Sequence, residues 1–242
     1  MSTENMKLWN AVEKTDPSAT KTANVNGQTM TSIIGQYMFM RATEQFGPYG
    51  IGWRCEVASE QYVTGAKIMS GEKGDIHVGD NIMHTMRVRL IYTLDGKEGV
   101  AEHVGCTPFV YKSKYGATTD MEAPKKTFTD SVKKCLSMLG FSADIFLGMF
   151  DDRDYVEARK EEEQISKAED QQAAEEQAKE ERLAYIKSVI ETMQGAVSQH
   201  ELKKIHDVAV RKLTARKDEN GVKRIARELA EQSKRFVEEK AA

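Results

Sequence analysis

KSKYGATTDMEAPKKTFTDSVKKCLSMLGFSADIFLGMFDDRDY, residues 112–155, decides how the rest of the chain is read. Within it Phe128, Val132, Cys135, Leu136 and Leu139 recur at i, i+4, i+7, i+8 and i+11. At about 3.6 residues per turn that spacing puts all five on one stripe of a helix facing a core. Lys126, Asp130, Lys133, Lys134 and Ser137 fall on the opposite side, so the polar face carries three lysines against one carboxylate. Asp120 is placed to cap the N-terminus, Pro124 is tolerable only in the first turn, and Gly140 suits a left-handed residue after the last one. The spacing predicts a helix over 121–139.

Upstream, Met86, Val88, Leu90, Tyr92 and Leu94 alternate with Arg87, Arg89 and Ile91, and the run ends at Asp95-Gly96. That is the pattern of a half-buried strand entering a tight hairpin, with Val100 to Cys106 as the return. Arg87 and Arg89 emerge together on the face opposite the apolar series, where phosphate or solvent would meet them. Ile51, Trp53, Cys55 and Val57 alternate in the same way. Residues 65–81, rich in glycine and charge, read as a loop or hairpin tip. Thr31 to Phe46 reads as a helix through Ile33, Ile34, Tyr37, Met38, Met40 and Ala42, stopped by the breakers of FGPYGIGW. Residues 1–28 read as a lead-in segment whose Trp9 packs on the body or on a neighbouring subunit.

The run TDSVKKCLSMLGFSADIF resembles the signature of the Rad-fifty-two type of single-strand DNA annealing proteins, phage members included. Thr129, Asp130, Lys133, Lys134, Gly140, Asp154 and Tyr155 match that signature in order. Phe46, Gly47, Gly50, Gly52 and Trp53 match the end of the family's first helix and the turn after it. The resemblance spans roughly Thr31 to Tyr155. Ser137 stands where the family has a third basic position, and Tyr37 where it has an arginine, with Arg41 one turn later as a substitute. The resemblance implies a DNA groove carried by Lys133 and Lys134, with Lys112, Lys114 and Tyr49 as further contacts. Lys125, Lys126, Arg41, Arg87 and Arg89 are candidates from charge and face alone.

After Tyr155 the character changes. Residues 157–181 hold strong helix formers and almost no large apolar side chains, which reads as a solvated helix or a disordered acidic linker. Apolar periodicity returns from Arg182 in three pieces punctuated by Gly195 and Asn220-Gly221, the pattern of a small helical unit. The expected organisation is therefore a lead-in over 1–28, an annealing core over 29–156, a linker over 157–181 and a helical partner-binding region over 182–242. The fold class is α+β: an antiparallel sheet with a long helix packed on one face, then an all-helical C-terminal region.

The 242 residues carry a formal charge of −3, split as 17 basic against 19 acidic through Tyr155 and 18 against 19 beyond it. A nucleic-acid site must come from where charges sit and not from their number. No apolar run approaches a membrane span and no signal-peptide layout opens the chain, so a cytoplasmic protein is expected, in the host's cytoplasm if phage-encoded. Cys55, Cys106 and Cys135 are isolated and read as reduced and buried. The five histidines lack metal-ligand spacing, and GxxxxGK[ST] is absent, so neither metal nor nucleotide cofactor is expected.

Two function classes follow. The first is a non-catalytic, ATP-independent annealing protein of homologous recombination. It needs only a cationic track that holds backbones while bases stay free, on a ring or helical homo-oligomer. An exonuclease or a single-strand-binding protein is its expected partner through the C-terminal helices. The second is a metal-dependent nuclease using Asp144, Asp151, Asp152 and Asp154, which would need carboxylates converging from several elements. An adaptor acting through the C-terminal helices is compatible with the first.

Overall fold

The computed structural model describes residues 4–25, 27–71 and 74–241. The chain divides into two compact units, one of the residues up to Thr15 with Ala19–Leu147, the other of Asp16–Ser18 with Gly148–Ala242. The division falls ahead of Tyr155. The protein is α+β, and among the described residues no helix is long and apolar enough to cross a membrane.

The first unit opens with helix α1 (Lys7–Val12), a hairpin of β1 (Thr20–Val25) and β2 (Gln28–Ile33), and helix α2 (Gly35–Phe46). The lead-in is thus built into the unit. Trp9 packs so closely on the chain at Gly140 that a Cβ there would lie 2.7 Å from its ring. Thr15 donates from its amide (2.8 Å) and hydroxyl (2.6 Å) to the buried Asp144 carboxylate, fastening the segment to the turn after the long helix. The helix expected from Thr31 starts later, at Gly35, because Thr31 to Ile33 complete a strand. A residue with a Cβ at Gly35 would meet Thr129 Cγ2 at 2.8 Å, so the α2 start depends on glycine for its close approach.

The main sheet is antiparallel in the order β3-β4-β5-β6, from β3 (Trp53–Ser70), β4 (Ile76–Leu94), β5 (Lys97–Ser113) and β6 (Gly116–Thr119). Asp95 and Gly96, at φ 50° and 74°, form the tight turn that the sequence predicts. Residues 65–81, expected as a loop or hairpin tip, do hold the β3–β4 connection between Ser70 and Ile76, but most of them continue the ladder. Register shifts at Thr64/Lys67 and Ile68/Met69 absorb the glycine-rich stretch, since a ladder is made by backbone groups whatever the side chains. The β5–β6 hairpin through Lys114 and Tyr115 carries no alternating pattern and was not legible.

Helix α3 (Ala123–Met138) lies over β4 and β5. Val132, Cys135 and Leu136 are buried and Phe128 and Leu139 pack beside them, against Val88, Leu90, Met38 and Phe141. Gly105 lets the helix close in, since a Cβ there would come within 2.1 Å of Ser131 Oγ. Gly140, at φ 99°, ends the helix region as its sequence position implies. Asp120 receives the amide of Glu122 at 3.0 Å, but the cap position is Glu122 itself. A short helix, α4 (Ala143–Phe146), follows.

The second unit holds α5 (Arg153–Lys167), α6 (Gln171–Gln194), α7 (Gln199–Ala215) and α8 (Glu219–Ala241). The acidic stretch is helical and well capped: Asp152 accepts from the Asp154 amide and Asp170 from that of Ala173. Ile186, Val189, Met193, Leu202, Ala209, Leu213 and Ile225 form the core. Asn220-Gly221 does not break a helix but sits in the first turn of α8. A Cβ at Gly221 would meet Ile186 at 2.9 Å, so glycine here serves close packing.

Candidate nucleic-acid interface

The cations singled out in the sequence fall into three places on the first unit. On the outer side of α3, Lys133 and Lys134 are adjacent. The Lys133 side chain is only 17% exposed, with its stem near Gly35 and its Nζ 3.9 Å from Asp130 Oδ1. Burial lowers its pKa from the ordinary lysine value, an effect that Asp130 opposes and that Lys21 and Lys134 reinforce. Among the described residues Lys134 has no carboxylate partner, and it rests over the Phe146 ring, 4.6 Å from its centre. Lys126, two turns earlier, is bound to Asp120 at 2.5 Å, which raises its pKa and lowers that of the aspartate. Lys125 pairs with Glu122 at 3.0 Å.

The second place is the β5–β6 hairpin. Lys112 donates to the Met69 carbonyl at 2.7 Å, and the Lys114 ammonium stands 4.9 Å from the ring centre of Tyr115, which is 87% exposed. The third is the face of the sheet turned away from α3, where Arg87 and Arg89 emerge side by side. Both are taken up by Glu102 of β5, at 2.7 and 2.6 Å, and these hydrogen bonds hold the Glu102 carboxyl below its usual range. Arg54 on that face meets Glu56 at 3.2 Å. The open face is therefore internally neutralised. Cys106, expected to be buried, is exposed there beside Thr85, while burial pushes Cys55 up to about 12 and Cys135 to about 11.

Arg41 and Tyr49 stand elsewhere. Arg41 pairs with Glu44 at 2.6 Å and donates to the Ala11 carbonyl at 2.9 Å, tying α2 to α1. Tyr49 stacks edge-on against Trp53 at 4.9 Å and accepts the Cys55 amide at 3.3 Å. It borders an apolar groove of about 600 Å³ lined by Phe39, Met40, Trp53, Cys55, Phe128 and Val132. The groove lies where the helical layer stops short of β3. Val57 and Tyr62, on the β3 face that should be covered, stay 48% and 52% exposed. Such incomplete cover was not visible in the alternation of β3, because alternation reports which face is apolar and not what covers it.

Three of the four carboxylates of the nuclease alternative have structural work. Asp144 binds Thr15, Asp152 caps α5, and the buried Asp154 receives Arg211 of α7. Among the described residues no three His, Cys, Asp or Glu side chains are grouped to hold a metal ion. His84 is likewise a core group, between Thr127 Oγ1 and Glu60 Oε1 at 2.9 Å each. Lys21 of β1, which sequence reasoning passed over, joins Lys133 and Lys134 through its field. It lacks any local pattern, so only the fold reveals it. Comparison with protein-family models, with curated proteins and with solved structures finds no match.

Proposed function

We propose that the chain is an ATP-independent single-strand DNA binding and annealing protein of homologous recombination, without catalytic residues, working in the cytoplasm as a ring or helical homo-oligomer. The observation that carries this reading is Lys133. An ammonium largely withdrawn from water, with its nearest carboxylate at 3.9 Å and two further lysines in its field, is a cation whose folded environment leaves it under-compensated. A phosphate at this spot would supply the missing charge. Lys134 beside it is held by a ring and not by a carboxylate, so its charge also remains available. The family resemblance of the same two residues points the same way.

Self-association is supported by β3. It is the edge of the sheet, its core-side Val57 and Tyr62 stay about half exposed, and it borders the 600 Å³ apolar groove. A long edge strand left open beside an apolar groove favours pairing with another chain. An exonuclease or single-strand-binding partner on the C-terminal helices belongs to this reading too.

The test is annealing of complementary oligonucleotides without ATP, by the wild-type chain and by Lys133→Met with Lys134→Met. The double variant should bind every sequence more weakly, because phosphate contacts carry no base information. Its slope of log affinity against log salt should be shallower by roughly 1.4, at about 0.7 per contact. Unchanged slope and affinity in a folded double variant would remove this reading, as would a wild-type chain that sediments as a strict monomer with and without single-stranded DNA.

A further inference from the structure

The second unit sorts its charge. Residues 157–182 carry ten acidic against five basic side chains, whereas residues 183–242 carry 13 basic against nine acidic. Part of this is paired: Glu161 of α5 holds Arg216 of the second stretch at 2.7 Å, and Arg182 at 2.9 Å, while Asp154 holds Arg211. Four cations of α8 are left out. Lys223, Arg224, Arg227 and Lys234 are all exposed, and none makes an ion pair or hydrogen bond with a described residue. At about 100° per residue the four lie on the side of α8 opposite Ile225 and Leu229, which face the core. By position in the helix Glu231 and Glu238 share that side.

Carboxylates stand at helical spacing from these cations, Glu219 four before Lys223, Glu228 four after Arg224 and Glu231 four after Arg227, yet no ion pair forms among the described residues. Lys223 and Arg227 are like charges at i, i+4, and Arg224 and Arg227 at i, i+3, spacings that weaken a helix while those charges stay unpaired. The face is also wrong for docking a folded protein. Its small neighbours Ala226 and Ala230 offer no apolar anchor, whereas protein interfaces are held by buried aromatic or aliphatic side chains at their centre. A nucleic-acid backbone needs only cations in a row, and two of these four are arginines, whose planar forks suit phosphate oxygens. From Lys223 to Lys234 the row runs about 16 Å at 1.5 Å per residue.

We propose that the outer face of α8 is a second nucleic-acid surface, reading phosphates independently of Lys133 and Lys134. The C-terminal helices then act on DNA themselves, beyond any docking of a protein partner.

The experiment uses the full chain with Lys223→Ala, Arg224→Ala and Arg227→Ala combined, alone and together with Lys133→Met and Lys134→Met. Binding of labelled oligo-dT and of a mixed-sequence duplex is titrated at several salt concentrations, with circular dichroism as the folding control. Alanine is the better helix former, so the triple variant should fold as well as the wild type. Its affinity for oligo-dT should fall on the order of tenfold or more, and its salt slope should drop by roughly 2, at about 0.7 per contact. Adding the α3 changes should lower both further. If the triple variant binds like the wild type with the same slope, α8 is a solvated face and the inference is overturned. Competition by polyglutamate as strong as by oligo-dT at equal charge would assign the face to an acidic polypeptide and overturn it as well. Loss in the triple variant with none in the α3 variant would uphold this surface while removing the α3 reading.

Discussion

The two units treat their cations in opposite ways. In the first, Arg41, Arg54, Arg87, Arg89, Lys125 and Lys126 each face a carboxylate of their own unit, and Lys133 and Lys134 stand out as the adjacent pair without a close one. In the second, the inner helices pair their charges through Glu161 and Asp154 while α8 leaves a row unpaired. A count of charges split at Tyr155 treats the two parts alike, since each is close to neutral. The difference teaches that a charge is informative when its own fold leaves it uncompensated. By that measure Arg87 and Arg89, conspicuous in sequence, say little, and Lys133 says most.

The contrast can be broken at several levels. The largest expected effects come from the separate cores. Leu136→Ala opens a cavity under α3 and Leu213→Ala one between the C-terminal helices, and each side chain is fully buried. Each should cost about 3 kcal/mol. Calorimetry of the two variants should show Leu136→Ala lowering the transition of the first unit and Leu213→Ala that of the second. Equal shifts of one common transition in both variants would mean that the chain unfolds as a single cooperative body.

A smaller effect sharpens the reading of Lys133. Burial places its folded pKa below the ordinary lysine value of 10.5. Between the lowered value and 10.5 the unfolded chain binds the proton that the folded chain has released, so stability rises with pH across that window. Lys133→Met removes this dependence. The variant should be at least as stable as the wild type at neutral pH, and its advantage should shrink as pH climbs toward 10.5, read as the difference in melting temperature. A variant that is less stable at neutral pH by an amount independent of pH would show that Asp130 compensates the charge after all.

The smallest effect belongs to the open face. Glu102→Gln takes away the carboxylate shared by Arg87 and Arg89, both about half exposed. Exposed pairs contribute little, so the melting temperature should barely move. If the DNA track runs along α3, annealing should stay within about twofold of wild type. A marked gain in DNA affinity, measured by anisotropy, would show that the two arginines face the nucleic acid once they are released.

Sequence by itself determined what repeats locally. The α3 stripe from Phe128 to Leu139, the Asp95-Gly96 turn, the alternation of β4 and the helical nature of the C-terminal region follow from periodicity and turn chemistry, which act over a few residues. Tertiary structure alone decided the rest. It continued β3 and β4 through residues 65–81, because the ladder between distant segments satisfies the backbone there whatever the side chains. It bound Trp9 to Gly140 and Thr15 to Asp144, contacts between segments more than a hundred residues apart along the chain. It also decided which cations keep their charge free. A carboxylate such as Glu102, 15 residues from Arg87 in sequence, reaches its partner only when strands pair, so compensation is a property of three-dimensional neighbours that no local pattern encodes.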